Sequence, residues 1–190
     1  MAVLMYLEIP GGTTDHYDRT NDALGVHVET EPPEGLVHHV AGADDDGLVI
    51  VDIWESREAL DDFVQSRLAA ALQEAGVPPA APRVYPVHNV IPQGSSDEAN
   101  VLLVVEPKGF DVAMYDALVA DMPAHAGSGE SHPAAFHAVG TKEDGDLLVA
   151  DVWPSEGAFN DFAQENLADA AAQLGSLSPR FLRVHNRIVG

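Results

Sequence analysis

The chain has 190 residues, enough for one domain or two small ones, and 46% of them are hydrophobic, enough for a real core. Asp and Glu number 31 against 9 Lys and Arg, a formal net charge of −22, which repels nucleic-acid phosphates and anionic membranes and sets both aside as partners. There is no cysteine, so disulfides, thiolate nucleophiles and Cys-based metal sites are excluded. No apolar run approaches the roughly 18 residues of a membrane span. The opening "MAVLMYLEIPGG" lacks a basic lead and reaches Glu8 too soon for a signal peptide, so the expectation is a soluble, cytoplasmic protein. The acidity reads first as a solvated surface; adaptation to high salt and the codon usage of a GC-rich genome are the alternatives, and unfolding on desalting would single out the salt adaptation.

In chain order, residues 2–9 are short and apolar, a strand. Residues 13–24 carry Tyr17, Asn21 and Leu24 at helical spacing, with Thr13 or Thr14 as N-cap and Gly25 as the stop. Strands at 35–41 and 48–54 flank the acidic turn "ADDDG", where Gly supplies a positive φ. Residues 57–75 form the most strongly patterned helix: Ser56 is its N-cap, Leu60, Phe63, Val64, Leu68, Ala71 and Leu72 make one apolar stripe, and Gly76 ends it. A Pro-rich loop leads to a last strand at 83–91, and the polar "PQGSSDEAN" at 92–100 is a linker.

Displaced by 97–99 residues, the chain then repeats itself. "VLMYLEI" meets "VLLVVEP", Tyr17-Asp18 meets Tyr115-Asp116, and "LVHHVAG" meets "AAFHAVG", pairing His39 with His137. Asp52 and Trp54 meet Asp151 and Trp153, and His88-Asn89 meets His185-Asn186. Conserved order with shifts of only one or two residues marks a tandem repeat: residues 1–91, a linker at 92–100, and residues 101–190. Each copy reads βαββαβ, the ferredoxin-like arrangement with two helices on one face of an antiparallel sheet. Strands such as "GLVIVDIW" are apolar on both sides, so one copy alone would expose a large apolar face. The expected fold is α+β, two ferredoxin-like repeats forming an intrachain pseudo-dimeric α/β barrel, with a further homodimer left open.

"GLVHHVAG…DGLVIVDIWESREALDDFVQSRL" resembles the dimeric α/β-barrel superfamily, in particular antibiotic biosynthesis monooxygenase-like domains, in which a strand ending in Trp leads into a helix opening Glu-Ser-x-Glu-Ala-Phe/Leu. "WESREAL" at 54–60 matches that opening; "WPSEGAF" at 153–159 departs from it, with Pro154 in place of Glu. The likeness covers essentially the whole chain. It implies a fold shared by cofactor-independent oxygenases, haem-degrading enzymes, cyclases and isomerases, and of the family's functional residues it carries over only the Trp, to Trp54 and Trp153.

His39 and His137, flanked by apolar residues on matching strands, are the candidate bases, because imidazole is the side chain best suited to proton transfer near neutral pH. Asp52 and Asp151 each share a strand face with the Trp two residues on. A buried Asp needs a partner, and a neighbouring His supplies one, which gives an expected Asp–His dyad in each copy. The alternative makes Asp a cap for the following helix, Trp plain core packing and each His a donor to a backbone carbonyl. His88-Asn89 and His185-Asn186 are candidate ligand contacts; strand alternation expects each pair to straddle its sheet. No ligand spacing supports a metal site. "DDD" at 44–46 and "EDGD" at 143–146 are turns, not calcium loops. "SGESH" at 128–132 is a loop, not a nucleophile elbow.

The resulting expectation is a small-molecule enzyme without a cofactor, acting on a small apolar or aromatic molecule by oxygenation or other proton-transfer chemistry, including cyclase and isomerase reactions. Second stands a non-catalytic ligand-binding or stress-related barrel. Third stands a haem protein with one His as axial ligand.

Overall fold

The computed structural model describes residues 1–26, 31–91, 94, 98–120, 122, 133–168 and 178–190. The first repeat runs β1 (Val3–Pro10), α1 (Thr14–Leu24), β2 (Leu36–Ala43), β3 (Gly47–Trp54), α2 (Arg57–Phe63), a π-helical segment (Val64–Leu68), α3 (Ala69–Ala75) and β4 (Arg83–Ile91). The second runs β5 (Val101–Val105), α4 (Val112–Ala120), β6 (Phe136–Thr141), β7 (Leu147–Trp153), α5 (Glu156–Asn166) and β8 (Arg180–Val189). The expected α+β class and the βαββαβ order of each repeat are those of the molecule. Most of the linker at 92–100 and all of "SGESH" lie outside the described residues.

Two compact units cross the repeat boundaries. The first comprises Met1–Val84 with Arg183–Gly190, the second Tyr85–Leu182. In the first, antiparallel strands lie in the order β1-β3-β2-β8; in the second, β5-β7-β6-β4. The last strand of each sequence repeat therefore extends the sheet built on the other repeat: His38–Ala43 of β2 pairs with Arg183–Val189 of β8, and Val87–Ile91 of β4 pairs with His137–Gly140 of β6.

Local chemistry explains the elements. The Thr13 hydroxyl accepts from the His16 amide to start α1, and Gly25 ends it in the left-handed region at φ 67°. Ser56 and Ser155 do the same for α2 and α5, each accepting from the amide three residues on, at 3.1 Å. These serines, not the aspartates before them, cap the helices. The "DDD" turn is closed by Asp44, whose carboxylate accepts from the amides of Asp46 and Gly47, and Asp144 repeats the contact with Asp146. A Cβ on Gly47 would run into the Ile9 carbonyl of the neighbouring strand, so the position needs glycine. The stretch expected as one helix at 57–75 is helical throughout but widens to π geometry at Val64–Leu68.

Every position of β3 is buried, on both faces of the strand. On one face Met5, Leu7, Ile9, Leu48, Ile50 and Trp54 form the first unit's core with Leu60 of α2 and Tyr17 of α1. In the second unit Leu103 and Trp153 pack with Phe159 and Phe162 of α5, while Tyr115 packs with Phe110, Val139 and Leu147.

Candidate functional site

Strand register makes the dyad. His39 lies directly opposite Asp52 across the β2–β3 ladder, a placement that brings Cβ atoms to about 5 Å. His39 Nδ1 is 2.7 Å from Asp52 Oδ1. Trp54, on the same face of β3, donates its indole N–H to the other carboxylate oxygen at 3.3 Å. From α1 the Tyr17 hydroxyl comes within 2.7 Å of His39 Nε2, with its ring stacked on the imidazole. Asn186 of β8 donates its amide to the same hydroxyl at 2.9 Å.

These contacts fix the protons of the resting site. Asn186 can only donate through its NH₂ group, so the Tyr17 oxygen accepts from it and directs its own O–H toward His39 Nε2. His39 Nε2 is then the acceptor, and Nδ1–H donates to Asp52. The result is one polarised chain, Asn186 to Tyr17 to His39 to Asp52, with Trp54 closing its far end. The second unit repeats it: Asn89 donates to the Tyr115 hydroxyl at 2.7 Å, that hydroxyl lies 2.8 Å from His137 Nε2, and His137 Nδ1 lies 2.6 Å from Asp151. Each chain takes its amide from the strand contributed by the other sequence repeat, so neither repeat holds all four groups. Burial of both tyrosines, at the junction of helix and sheet, pushes each phenol up to about 12; the neighbouring carboxylates add to the rise, and the amides oppose it. Both phenols hold their protons at neutral pH.

The structure thus brings together Asp52 with His39 and Asp151 with His137, and gives each imidazole a carboxylate and a phenol where the alternative had a backbone carbonyl. Trp54 and Trp153 are 1% exposed and pack on Phe63 and Phe162 respectively; Trp54 serves both as core and as a donor to Asp52. The His-Asn pairs differ from the expectation that they straddle their sheets. His185 bonds Asp18 and Asn186 bonds Tyr17, consecutive residues of one helix. His88 and Asn89 do likewise with Asp116 and Tyr115. The cause is a β-bulge at each histidine: opposite β2 the register passes from Asn186 to Val184, and opposite β6 from Asn89 to Val87. An inserted residue breaks the two-residue alternation and lets both side chains reach the same helix.

Beneath α1 the first unit holds a cavity of about 90 Å³ that opens to solvent. Its lining is mostly aliphatic and aromatic, from β1, β3, α1 and the helical stretch 63–72, including Leu68 of the π-helical segment. The polar groups on it are Tyr17, Thr20, Asn21, His39 and Asp52, so the proton chain faces this space. Of β8, Ile188 lines the cavity, whereas Asn186 acts on it through Tyr17. His39 has 13% of its side chain exposed, against 7% for His137. Among the described residues no group of three His, Asp or Glu is placed to hold a metal ion. Both nitrogens of His39 and of His137 are engaged with protein partners, which does not suit either imidazole to be the axial ligand of a haem.

Sequence reasoning passed over Tyr17 and Tyr115 as functional groups, although both were aligned by the repeat. A polar aromatic recurring one helix away from a recurring His was the signal.

No family sequence model matches the chain, and neither does the sequence of any curated protein. Solved structures do. A protein of Fusobacterium nucleatum proposed to be a monooxygenase aligns over 99% of this chain and 94% of its own, with TM-score 0.68 and 10% identity. One from Lactobacillus acidophilus, also proposed to be a monooxygenase, aligns over 98% and 93% with TM-score 0.63 and 15% identity. A ferredoxin-fold protein of Listeria monocytogenes related to antibiotic biosynthesis monooxygenases aligns over 98% and 96% with TM-score 0.53 and 10% identity. At these identities the likeness is one of fold. The chain has the ferredoxin-like α+β fold that these structures share, as its repeats and the Trp-to-helix motif led one to expect.

Proposed function

We propose that the first unit is a small-molecule enzyme site that removes a proton from a largely apolar, aromatic molecule bearing an acidic hydroxyl or activated C–H group. The observation that carries this reading is the Asp52–His39 pair facing an apolar cavity. A carboxylate on Nδ1 orients the imidazole and stabilises the imidazolium formed when it gains a proton, which is the task of a general base. The mostly aliphatic lining weakens competition from water and strengthens the charge interactions formed during transfer. An electron-rich anion made in such a pocket can meet O2 directly, so cofactor-independent oxygenation is the reaction proposed. The fold shared with two proteins themselves proposed to be monooxygenases supports the same direction.

The test is oxygen consumption and product formation with anthrones and polycyclic phenols, for the wild type, His39→Gln and His137→Gln. Loss of turnover in His39→Gln with a retained fold is expected. Binding without conversion in the wild type would favour a ligand carrier instead, and unchanged turnover in both variants would remove the histidines from the chemistry.

A further inference from the structure

Resting on the reading above, we infer that Tyr17 is the group that exchanges a proton with the bound molecule and that Asn21 holds the molecule's oxygen, so the pocket selects a ligand with one weakly acidic hydroxyl. Helix α1 presents Tyr17, Thr20, Asn21 and Leu24 to the cavity. Thr20 is already committed, its hydroxyl donating to the His16 carbonyl at 2.8 Å. Asn21 stands one turn beyond Tyr17 on the same helix, and both line the cavity. An amide on a largely apolar wall carries a desolvation cost unless it is partnered. The other repeat does without it: Val119 stands one turn beyond Tyr115, and Leu118 takes the place of Thr20. The first unit's Tyr-His-Asp chain is the one supplied with an extra donor at its cavity-facing end.

The transfer balances without any co-reactant. A ligand hydroxyl donates to the Tyr17 oxygen, beside the Asn186 amide that already donates there. The Tyr17 proton crosses 2.7 Å to His39 Nε2, and the ligand's proton replaces it on the phenol. The ligand is left as an oxyanion that accepts from the Asn21 amide, and His39 becomes an imidazolium paired with the Asp52 carboxylate. One proton has moved from ligand oxygen to imidazole, and Tyr17 ends as it began. Asn186 is a positioning residue: its donation to Tyr17 keeps the phenol proton aimed at His39.

Two probes test this, 4-nitrophenol, whose phenolate absorbs visibly, and 4-nitroanisole, which has the same shape and no proton to give. Wild-type protein is expected to bind both and to lower the apparent midpoint of bound 4-nitrophenol by about one pH unit, the tenfold preference that one charge-assisted hydrogen bond supplies. Tyr17→Phe is expected to bind 4-nitroanisole as before and to lose the midpoint shift. Asn21→Val, which installs the residue of the other repeat, is expected to bind the nitrophenolate about tenfold more weakly with 4-nitroanisole unaffected. A full midpoint shift in Tyr17→Phe overturns the proton-exchange role while the pocket stands. Unchanged nitrophenolate binding in Asn21→Val overturns its role as the oxygen holder. If neither probe binds the wild type, this inference and the proposed function fall together.

Discussion

Asp52→Asn keeps the shape of the side chain and removes its charge, and the geometry predicts two separate consequences. The native carboxylate accepts from two donors, His39 Nδ1–H at 2.7 Å and Trp54 Nε1–H at 3.3 Å. The variant's amide has one oxygen for those two donors, and its NH₂ group must face the other. If the oxygen stays with the indole, the NH₂ meets His39 Nδ1, which must then accept and carry its proton on Nε2 instead. That tautomer would donate toward Tyr17 and leave the phenol proton no acceptor on the ring. Hydrogen bonds to charged groups contribute roughly 1.5–3 kcal/mol, so the substitution is expected to cost about 2 kcal/mol of stability. For a chain of this length that corresponds to a Tm lower by roughly 4–8 °C. Thermal unfolding followed by circular dichroism gives the second number, and ¹⁵N NMR of the imidazole gives the tautomer. Asp151→Asn should cost at least as much, because its pair is shorter and more enclosed. A variant with native stability and the native Nδ1–H tautomer would refute the carboxylate's orienting role.

Three further outcomes follow. Titrated by ultraviolet absorbance, Tyr17 and Tyr115 should ionise only near pH 12. Because the folded phenols sit above their unfolded value of 10, the stability they carry is full below pH 10 and is lost as pH rises toward 12, by roughly 2–3 kcal/mol each at most; ionisation of all four tyrosines by pH 11 in folded protein would contradict this. Ser56→Ala and Ser155→Ala should each lower unfolding free energy by about 1 kcal/mol, with additive effects in urea titrations because the two caps belong to different helices. His185→Ala removes a pair whose carboxylate, Asp18, is 61% exposed, so its cost should stay within about 1 kcal/mol, clearly less than that of Asp52→Asn in the same assay.

The repeat and its hydrophobic periods made the fold legible. Ser56 and Gly76 bounded a real helical stretch, Thr13 and Gly25 bounded α1, and Asp52, two residues before Trp54, was correctly set on one strand face with it. What the pattern did not reveal was long-range register. Strand periodicity says which residues share a face, but only pairing says that His39 lies opposite Asp52. The bulges at His88 and His185 leave no mark on hydrophobic alternation, yet they turn both members of each His-Asn pair to the same helix. Helical spacing places Tyr17 on a stripe of α1 and says nothing of its hydroxyl, which becomes functional only through contact with His39 and with Asn186, far away in sequence. The assignment of Arg183–Gly190 to the first unit rests on pairing between distant segments, which a linear reading of the repeats does not contain.

The central claim, that a ligand's proton ends on His39, is tested most directly by ¹⁵N NMR of the His39 ring with saturating 4-nitrophenol at neutral pH. The account predicts a change from neutral Nδ1–H imidazole to imidazolium on binding, absent with 4-nitroanisole and absent in Tyr17→Phe. A ring that stays neutral while the bound nitrophenol is ionised would contradict it.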